Sequence, residues 1–395
     1  MKKIVLITTG QPATNPRIVK EADALAQAGY DVVMIGCVWS LWATLHDADI
    51  INNAKWKYIS VPTSHHIFEK LLLRGLNIIA RYITAKYGIA ERVMAKHYDK
   101  MCKTADNIGA DLYIAHNLGA LSVAYQAAQK YHATLGFDAE DFHRYEADDN
   151  AHSAIASYLE NKYLPHVKHF TVSSPLIAKE YTSLFPNLKP VLLHNVFYTQ
   201  QRNIWSADDN VLKIIWFSQT IGKGRGLEAV IEALGRYNGK VQLTLIGHLN
   251  DVNRSYFDNL MKIHSIDKQV VKFLAPVSPA QIFDIVKHHH IGLALEQHTP
   301  YNRDICLTNK IFTYISCGCA IIASDTLAQN QFMALHLNIG VLVKVNDADS
   351  ISKAISKYLY DRDILQTHMQ QSHALGAELY NWNIEKNKLL SMIVR

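Results

Sequence analysis

Residues 291–325 read IGLALEQHTPYNRDICLTNKIFTYISCGCAIIASD, and this stretch decides the expected fold. The apolar run 291–295 predicts a buried strand, and the run 320–323 predicts a second one. Between them, a polar loop leads into a helix that is expected to begin near Thr308 and to end at Gly318. A strand, a helix and a strand in this order are typical of a parallel sheet covered by helices.

The start of this helix carries Thr308, Asn309 and Lys310. The first N–H groups of an α-helix have no partner inside the helix, and the helix dipole places partial positive charge at the same end. Together with the lysine side chain, these groups favour an anion. The sequence therefore predicts a phosphate-binding site at the amino end of the helix.

Length and composition predict two globular domains. The chain has 395 residues, of which 49% are hydrophobic and 19% charged. The segment 198–210 is polar and aperiodic, as is typical of a linker. We therefore predict a first domain over 1–206 and a second over 207–377, with a terminal helix at about 378–395 that returns to the first domain.

The sequence shows neither the features of a signal peptide nor an apolar run long enough to span a bilayer, since the opening run ends at Thr8 and Gly10. The five cysteines form no CxxC pair and are odd in number, which favours buried thiols over disulfides or zinc ligands. The three histidines at 288–290 end a predicted helix, and we do not expect them to bind a metal. A cytoplasmic protein is therefore expected.

The first half of the chain opens with the strand KKIVLITTG, a loop and a helix over 16–28, followed by the strand DVVMIGC. This order predicts a doubly wound parallel sheet with a ligand crevice at the carboxyl ends of its strands. The loop lacks the GxGxxG spacing, and no acidic residue follows where a dinucleotide ribose needs one, which disfavours a dehydrogenase. Arg17, in the first turn of the helix, either reaches an anion in the crevice or lies in solvent, and the sequence leaves both interpretations open.

Two further strands of the first half end in side chains that can bind ligands. ADLYIAH ends at His116, and a histidine at the carboxyl end of a parallel strand lies at the crevice. ATLGFDAED ends in Asp138, Glu140 and Asp141, whose carboxylates can bind sugar hydroxyls or cap the following helix. Both roles of the carboxylates stay open at this point.

The second half repeats the same order of elements. VLKIIWFSQ is a predicted strand, TIGKGRG a glycine-rich loop and LEAVIEALGRY an amphipathic helix. In the loop, the glycines from Gly222 onward let a ligand approach the backbone closely, and Lys223 and Arg225 supply positive charge. The loop matches neither the Walker A motif nor a dinucleotide fingerprint, so an anion site and a simple tight turn both stay open.

Basic residues are concentrated at 64–103, where eight lysines and arginines stand against three acidic residues. The apolar residues between them predict one or two long amphipathic helices. Such a segment either binds an anionic membrane surface or packs on the core with a solvated basic face, and both interpretations stay open. The basic residues do not alternate with aromatic residues as on a stacking platform, which disfavours nucleic acid as a partner.

In their order and spacing, several stretches resemble family-four glycosyltransferases of the GT-B fold, and the resemblance covers nearly the whole chain. It implies two Rossmann-like α/β domains, each doubly wound, that face each other across a cleft. It also implies a retaining, metal-independent transfer of a sugar from a nucleoside diphosphate donor on the second domain to an acceptor on the first. The stretches are NPRIVKEADALAQAGYDVVMIG, ADLYIAHNLGALSVA, FDAEDFHRYE, WFSQTIGKGRGLEAVIEAL, LTNKIFTYISCGCAIIASD and YNWNIEKNKLL.

On the donor side, the resemblance implies that Arg225 binds the donor diphosphate, with Lys223 beside it for the same role and Gly222 in the same loop. The backbone at Asn309 and Lys310 matches the segment that holds these phosphates. The nucleotide sugar is the co-substrate, and we expect no cofactor. We also expect no metal, because no DxD-type carboxylate pair lies at the predicted phosphate site.

On the acceptor side, the resemblance places Gly10 and Gln11 in a loop that borders the acceptor and the donor phosphates, and His116 near the donor sugar and the reacting centre. The expected acceptor is a glycan or a lipid-linked sugar. With the basic segment 64–103, this predicts a peripheral protein of the inner membrane face that works in surface-polysaccharide assembly. The other acceptor-side candidates are Arg17, Asp138 and Glu140.

The chain departs from the family's pattern at the site itself. Two glutamates of the family, the second of which usually binds the ribose, are replaced here by Ile305 and Thr313. The arginine that often begins the basic loop is replaced by Gln219. We consider Thr313 a candidate for a hydrogen bond to the ribose, and Asp304 or Glu296 a candidate replacement for the sugar-side carboxylate.

Two alternatives to a glycosyltransferase stay open. A sugar-nucleotide epimerase of the same fold binds the same donor and needs no acceptor. A catalytically silent protein that binds a glycan or another transferase needs no catalytic carboxylates. Isomerisation of a nucleotide sugar without an acceptor distinguishes the first alternative, and failure to bind any nucleoside diphosphate favours the second.

Overall fold

The computed structural model describes residues 1–39, 41–62, 89–200 and 211–393. The chain divides into two compact units: unit 1 comprises Met1–His194 and Lys386–Arg395, and unit 2 comprises Asn195–Glu385. Most of the predicted linker at 198–210 lies outside the described residues, so the domain boundary at 206/207 stays a prediction.

Unit 1 is built around a parallel sheet whose strands are β1 (Lys3–Thr8), β2 (Asp31–Val38), β3 (Lys57–Pro62), β4 (Leu112–His116), β5 (Thr134–Ala139), β6 (His169–Val172) and β7 (Val191–Leu192). In the described part of the chain these seven strands lie in the order β3-β2-β1-β4-β5-β6-β7, and all neighbours are parallel. Strands of this sheet are buried on both faces, which is why β1 and β4 read as continuous apolar runs.

The helices of unit 1 join these strands. Pro16 stands in the first turn of the first helix, and the Asn15 side chain caps it by accepting a hydrogen bond from the Ile18 N–H. In the described residues the helices are α1 (Pro16–Gln27), α2 (Leu41–Asn52), α3 (Ile89–Met94), α4 (Tyr98–Ala105), α5 (Leu118–Lys130), α6 (Asn150–Tyr163) and α7 (Pro175–Leu184).

Unit 2 contains a second parallel sheet with the strands β8 (Leu212–Thr220), β9 (Val241–His248), β10 (Val271–Leu274), β11 (Ile291–Ala294), β12 (Ala320–Ser324) and β13 (Gly340–Val343). Among the described residues these six strands lie in the order β10-β9-β8-β11-β12-β13. All neighbours are again parallel.

The helices of unit 2 alternate with its strands. Ser278 caps one of these helices, because its side chain accepts a hydrogen bond from the Gln281 N–H, and Pro279 follows in the first turn. The helices are α8 (Leu227–Leu234), α9 (Asp251–Ile263), α10 (Pro279–Val286), α11 (Tyr301–Ile305), α12 (Asn309–Cys317), α13 (Leu327–Leu335), α14 (Ala348–Tyr360) and α15 (Arg362–Glu378), and α16 (Trp382–Ile393) ends the described chain.

In each sheet the first six strands, numbered along the unit, lie in the order 3-2-1-4-5-6, which is the doubly wound Rossmann order. The predicted fold class of two Rossmann-like α/β domains is therefore confirmed. In unit 2, α12 packs close to β11 because Gly292 has no side chain. A Cβ atom at Gly292 would lie 2.1 Å from the Tyr314 ring, whose hydroxyl donates to the Leu293 carbonyl.

Two expectations from the sequence concern the basic segment 64–103 and the stretch that follows β11. The basic segment 64–103 lies outside the described residues up to 88, and from 89 onward it forms the short helices α3 and α4 with a break between them. The stretch after β11, expected to be a polar loop, contains the short helix α11, which begins after Pro300. None of the helices in the described residues is both long and apolar enough to span a bilayer.

Candidate functional site

Each sheet reverses its strand order at one point, between β1 and β4 in unit 1 and between β8 and β11 in unit 2. In a doubly wound sheet, the loops that follow these two central strands separate and leave a crevice at the carboxyl edge. The predicted site residues Gly10 and His116 lie at this point of unit 1. Arg225 and Glu296 lie at the corresponding point of unit 2.

Glu296 is the centre of a charged cluster in unit 2. Its carboxylate is 2% exposed, and it lies 2.6 Å from Lys310 Nζ and 3.4 Å from an Arg303 guanidinium nitrogen. The backbone N–H of Glu296 donates to Ser324 Oγ, which holds the end of β11 against the end of β12. Lys310 itself lies in the first turn of α12. We name Glu296, Lys310, Arg303 and Arg225 the cation cluster.

Arg225 joins the cation cluster from the glycine-rich loop after β8. Its half-buried side chain lies in the field of Arg303 and Glu296. Burial, and next the Arg303 guanidinium, lower the pKa of Arg225, while Glu296 acts in the opposite direction. The cluster thus sets three cationic side chains against one carboxylate among the described residues, an excess of positive charge that an anion can neutralise.

The glycine-rich loop lies directly against the chain that follows β11. Gly226 has a φ of 78°, and a Cβ atom there would lie 3.3 Å from the Gln297 side-chain nitrogen. The positive φ favours glycine at this position, and an added Cβ atom would also press on the end of the Gln297 side chain. Gly222 and Lys223 precede it in the same loop, and Lys223 Nζ lies 4.2 Å above the Tyr256 ring in a cation–π contact.

The amino end of α12 has unused hydrogen-bonding groups beside the cluster. Thr308 is the N-cap residue, but its side chain makes no capping hydrogen bond. Its buried Oγ1 has no hydrogen-bond partner among the described residues. The first N–H groups of α12, starting at Asn309, have no acceptors within the helix. Buried polar atoms of this kind are commonly satisfied by a ligand or by water.

The other two donor-side candidates are held by protein groups. Thr313 is 1% exposed, and its hydroxyl donates to the Asn309 carbonyl at 2.9 Å. Asp304 accepts from the Leu327 N–H at 2.9 Å and lies 2.8 Å from His298 Nδ1. Of the proposed replacements for the missing carboxylates, Glu296 is therefore the one in direct contact with the cations.

Unit 1 contains a cavity of about 390 Å³ at its own crevice. Two acceptor-side candidates, Gly10 and Glu140, line it. Burial, and next the neighbouring Asp141, raise the pKa of Glu140 to about 7 against the opposing effect of Arg17. The other lining residues are Thr8, Thr9, Thr14, Asn15, Cys37, Trp39, Met94, Lys96, His97, Met101 and Asn117.

Gln11, the neighbour of Gly10, is buried beside this cavity. Its side chain is 0% exposed; the carbonyl oxygen accepts from the Trp39 N–H at 3.0 Å, and the amide nitrogen donates to Asp47 at 2.7 Å. Gln11 does not belong to the lining. The predicted place of Gln11 beside the ligand stays a prediction, and its side chain holds the backbone of the lining residue Trp39.

His116, Arg17 and Asp138 form a buried network rather than part of the cavity lining. Arg17 donates to both Asp138 oxygens, at 2.6 and 2.7 Å, and to the Leu193 carbonyl at 2.7 Å. His116 lies 3.3 Å from Asp138 and 3.3 Å from Glu21 through its two ring nitrogens. Each of these four side chains is at most 1% exposed. Because Arg17 is buried, the interpretation that it lies in solvent is excluded. Asp138 accepts the hydrogen bonds of Arg17 and does not serve as a helix cap.

The network is held together by charge. Burial lowers the pKa of His116, but the Glu21 and Asp138 carboxylates overcome this and raise it to about 9. Burial also opposes ionisation of Asp138, yet Arg17 and His116 hold the pKa of this carboxyl well below its usual range. A protonated histidine between two carboxylates, next to an arginine, balances the buried charges.

Glu21, His116 and Asp138 also offer ligand atoms within 4.8 Å of one another, as a metal site requires. Arg17 is already 2.6 Å from Asp138 and 3.7 Å from Glu21. Its guanidinium supplies the positive charge that a divalent ion would otherwise bring, so the residues fit an ion-pair network better than a metal site.

The sequence analysis missed several residues of both regions. Arg303 was expected in a polar loop without a role, and Trp39, Lys96 and Asn117 were not selected as site residues. A residue-level signal exists for Asn117, because asparagine tolerates positive φ and its φ here is 77°. Nothing in the sequence pattern points to the others.

No protein-family model and no curated protein sequence matches the chain. Among solved structures, HepE of Anabaena in complex with UDP-glucose aligns over 100% of both chains, with a TM-score of 0.72 and 13% identity. Sucrose-phosphate synthase of Thermosynechococcus elongatus covers 100% of this chain and 98% of its own, with a TM-score of 0.69 and 15% identity. A UDP-N-acetylglucosamine 2-epimerase candidate of Listeria monocytogenes covers 100% and 96%, at a TM-score of 0.62 and 10% identity.

These similarities establish the fold of the chain as GT-B, with two Rossmann-like domains. They extend over the full chain, so both units share the fold of the aligned structures. The low identities carry no information on activity by themselves. The side chains of the two crevices are therefore the basis for assigning a function.

Proposed function

We propose that the protein is a glycosyltransferase that moves a sugar from a nucleoside diphosphate-sugar to a glycan or lipid-linked acceptor with retention, as part of surface-polysaccharide assembly. The cation cluster of unit 2 carries this proposal. Lys310 and Arg303 contact Glu296 beside the open amino end of α12, and Arg225 lies within the electrostatic influence of both Arg303 and Glu296. This arrangement suits a ligand with two linked phosphates.

Glycosyl transfer needs the chemistry that this cluster offers. When the bond between the sugar carbon and the phosphate oxygen breaks, negative charge develops on the departing diphosphate. Cations and helix N–H groups fixed in place stabilise that charge without reorganising, which is often the largest contribution to catalysis. A diphosphate is a weak base, so its departure requires little help from an acid.

The donor proposal is also supported by the aligned structures, since HepE has been solved with UDP-glucose in a chain of the same fold. A uridine nucleotide is therefore the first donor to test. The glycine-rich loop and the amino end of α12 hold the phosphates in this proposal, whereas the base and the ribose contact other parts of unit 2.

Thermal unfolding in a panel of nucleoside diphosphates tests the proposal directly. A ligand that binds only the folded protein raises its unfolding temperature. We expect a rise with at least one nucleoside diphosphate and a much smaller rise in Arg225→Ala. Arg236→Ala is the matched control, because it removes an exposed arginine of the same unit that pairs with Asp349 instead.

If none of the nucleoside diphosphates changes the unfolding temperature, the proposal is wrong and a catalytically silent binding protein is favoured. The epimerase is the second candidate, because a structure described as one shares the fold at a TM-score of 0.62. Incubation with the nucleotide sugar alone separates the two enzymes: an isomerised sugar in the products identifies an epimerase, and a transferase leaves the sugar unchanged.

Membrane association remains part of the proposal through the basic segment 64–103. Sedimentation with anionic liposomes at low salt tests it, and neutral liposomes serve as the control. Binding that needs anionic lipid and weakens with salt supports attachment at the inner membrane face. Failure to sediment with anionic liposomes contradicts it.

A further inference from the structure

Arg225 lies in a stretch of backbone that restrains it little by itself. Its two neighbours in the chain, Gly224 and Gly226, have φ values of 68° and 78°. A Cβ atom added at Gly224 would meet nothing within 4 Å, so the turn is open at that point. Glycine backbones have many accessible conformations. The position of the Arg225 guanidinium therefore depends on the contacts that the loop makes with the rest of unit 2.

Glu228, in the first turn of α8, provides one of these contacts. Its carboxylate accepts a hydrogen bond from the Gly224 N–H at 3.0 Å, and the Tyr256 hydroxyl lies 3.5 Å from the same oxygen. A charged acceptor makes the bond to the N–H stronger than one between neutral groups. The bond ties the residue before Arg225 to α8, which begins two residues after Arg225.

Helix α9 makes two further contacts with the loop. Lys223 Nζ lies 4.2 Å from the centre of the Tyr256 ring, in a cation–π contact. Asn253, three residues before Tyr256 and so on the same face of α9, donates from its side-chain amide to the Ile221 carbonyl at 3.2 Å. The loop is thus held by α9 where it begins and by α8 where it ends.

The loop held in this way keeps Arg225 at the cation cluster, within the electrostatic influence of Arg303 and Glu296. Charges that are fixed in place need no reorganisation when negative charge develops on a leaving group. A loop that is already ordered also loses less entropy when a ligand binds. The contacts with α8 and α9 therefore favour a conformation that is preorganised for an anion at the cluster.

We propose that Lys223, Glu228 and Tyr256 are positioning residues for the donor diphosphate, which hold the glycine-rich loop in the conformation that places Arg225 at the cation cluster. The inference rests on the proposed function. It gives Lys223 a role through the Tyr256 ring, in place of the direct contact with the phosphates that the family resemblance implies. Loss of the Tyr256 ring should then weaken phosphate binding as much as loss of the Lys223 amine.

Calorimetric titration of the full chain tests the proposal. The probes are inorganic pyrophosphate, which has two linked phosphates and no base, and the nucleoside diphosphates of the panel. The variants are Glu228→Ala, Tyr256→Leu, Lys223→Ala and the double variant Lys223→Ala/Tyr256→Leu. Glu228→Gln and Tyr256→Phe are the conservative variants, because the first keeps an oxygen that accepts from the Gly224 N–H and the second keeps the aromatic ring.

Two matched controls remove side chains of the same types elsewhere in unit 2. Glu232→Ala removes an exposed glutamate one turn further along α8. Tyr360→Leu removes a tyrosine that is 73% exposed at the end of α14. The unfolding temperature of each variant without ligand is measured as well, so that a loss of folding is separated from a loss of affinity.

We expect Glu228→Ala to weaken diphosphate binding about fivefold, as the loss of one hydrogen bond does. Tyr256→Leu and Lys223→Ala should each weaken it about threefold, as the loss of an exposed cation–π contact does. The double variant should bind no more weakly than either single variant, because both substitutions remove the same contact. The conservative variants and the two controls should bind as wild type does, and all unfolding temperatures without ligand should stay close to that of wild type.

The results also separate this inference from the proposed function. If wild type binds a diphosphate and either Glu228→Ala or Tyr256→Leu binds it equally or more tightly, the positioning role is overturned and the donor site is kept. A loss of affinity in Lys223→Ala without one in Tyr256→Leu overturns it as well, because Lys223 then contacts the phosphates directly. If wild type binds none of the diphosphates, the donor site and the positioning role are overturned together.

Discussion

The two crevices of the protein have the same strand order and different chemistry. In unit 2, the loops after β8 and β11 bring three cations to one buried carboxylate beside an uncapped helix. In unit 1, residues after β1 and β4 line a cavity of mixed polar and apolar character that includes a tryptophan, and Arg17, Glu21, His116 and Asp138 form a buried charged network outside this lining. The fold supplies the crevice, and the side chains on these loops determine what it binds.

The largest expected effect comes from removing a cation from unit 2. Arg225→Ala should keep the fold and lower turnover of the nucleotide sugar by about a hundredfold or more, because one stabilising contact to the departing diphosphate is lost. Steady-state kinetics measures this, with Arg236→Ala as the control for the loss of one arginine. Near-normal turnover in Arg225→Ala would remove the basis for assigning unit 2 to the donor.

Removing the carboxylate of the same cluster should affect stability. Glu296→Gln leaves Lys310 and Arg303 facing each other without their buried counter-charge, and we expect the free energy of unfolding to fall by about 3 kcal/mol. Urea titration measures the change. Asp349→Asn is the control, because Asp349 pairs with Arg236 at the exposed surface, where loss of an ion pair costs about 1 kcal/mol or less.

A bound diphosphate should restore part of the stability lost in Glu296→Gln, since it replaces the missing negative charge. Equal losses in Glu296→Gln and Asp349→Asn would contradict the importance of the buried carboxylate. A loss in Glu296→Gln that the diphosphate leaves unchanged would contradict binding of the anion at these cations.

The buried network of unit 1 should make stability depend on pH. The pKa of His116 is raised to about 9 in the folded protein, above the ordinary value of about 6.5. Its protonated form therefore contributes stability fully below about pH 6.5, and the contribution is lost as pH rises through about 9. The linkage corresponds to at most about 3 kcal/mol.

Chemical denaturation at pH 6 and pH 9.5 checks this expectation in wild type and in His116→Gln. Wild type should lose stability between the two pH values, and His116→Gln should lose clearly less, although it starts from a lower stability. The same pH-dependent loss in both proteins would show that His116 is not the titrating group.

The smallest effect is expected at Thr313. Its hydroxyl is buried and donates to the Asn309 carbonyl, so Thr313→Val should leave nucleotide affinity within about twofold of wild type. Calorimetric titration of the bound nucleoside diphosphate measures the affinity. A marked loss of affinity would instead assign the hydroxyl to the ribose, as the sequence analysis considered.

The fold could be predicted from the sequence because it depends on local patterns, whereas the phosphate site stays a prediction. The alternation of apolar runs, glycine stops and capped helices over 291–325 predicted β11, α12 and β12, with Lys310 at the start of α12. Arg225 was selected from the glycine-rich loop after β8 and from the family resemblance. The burial of His116 could not be predicted from local sequence patterns. It depends on α1 packing against β4, which brings Glu21 beside the histidine from a distant part of the chain.

Contacts that depend on the folded arrangement of the chain also explain the residues that were missed or assigned differently. Arg303 reaches Glu296 only because the chain forms α11 in what reads as a polar loop. The family resemblance placed Gln11 together with Gly10 in a loop that borders the ligands, but the hydrogen bond that its side chain accepts from the Trp39 N–H could not be predicted from the sequence alone. Side-chain direction, rather than the position of the element, was the missing information.

The central claim is that the cation cluster of unit 2 recognises two linked phosphates. Calorimetric titration of matched nucleoside diphosphates and monophosphates of uridine, guanosine, adenosine, cytidine and deoxythymidine tests it most directly. We predict that one base binds, that its diphosphate binds at least about a hundredfold more tightly than its monophosphate, and that Arg225→Ala removes most of this difference. Equal affinity for the diphosphate and the monophosphate, or the same difference in Arg225→Ala, would contradict the claim.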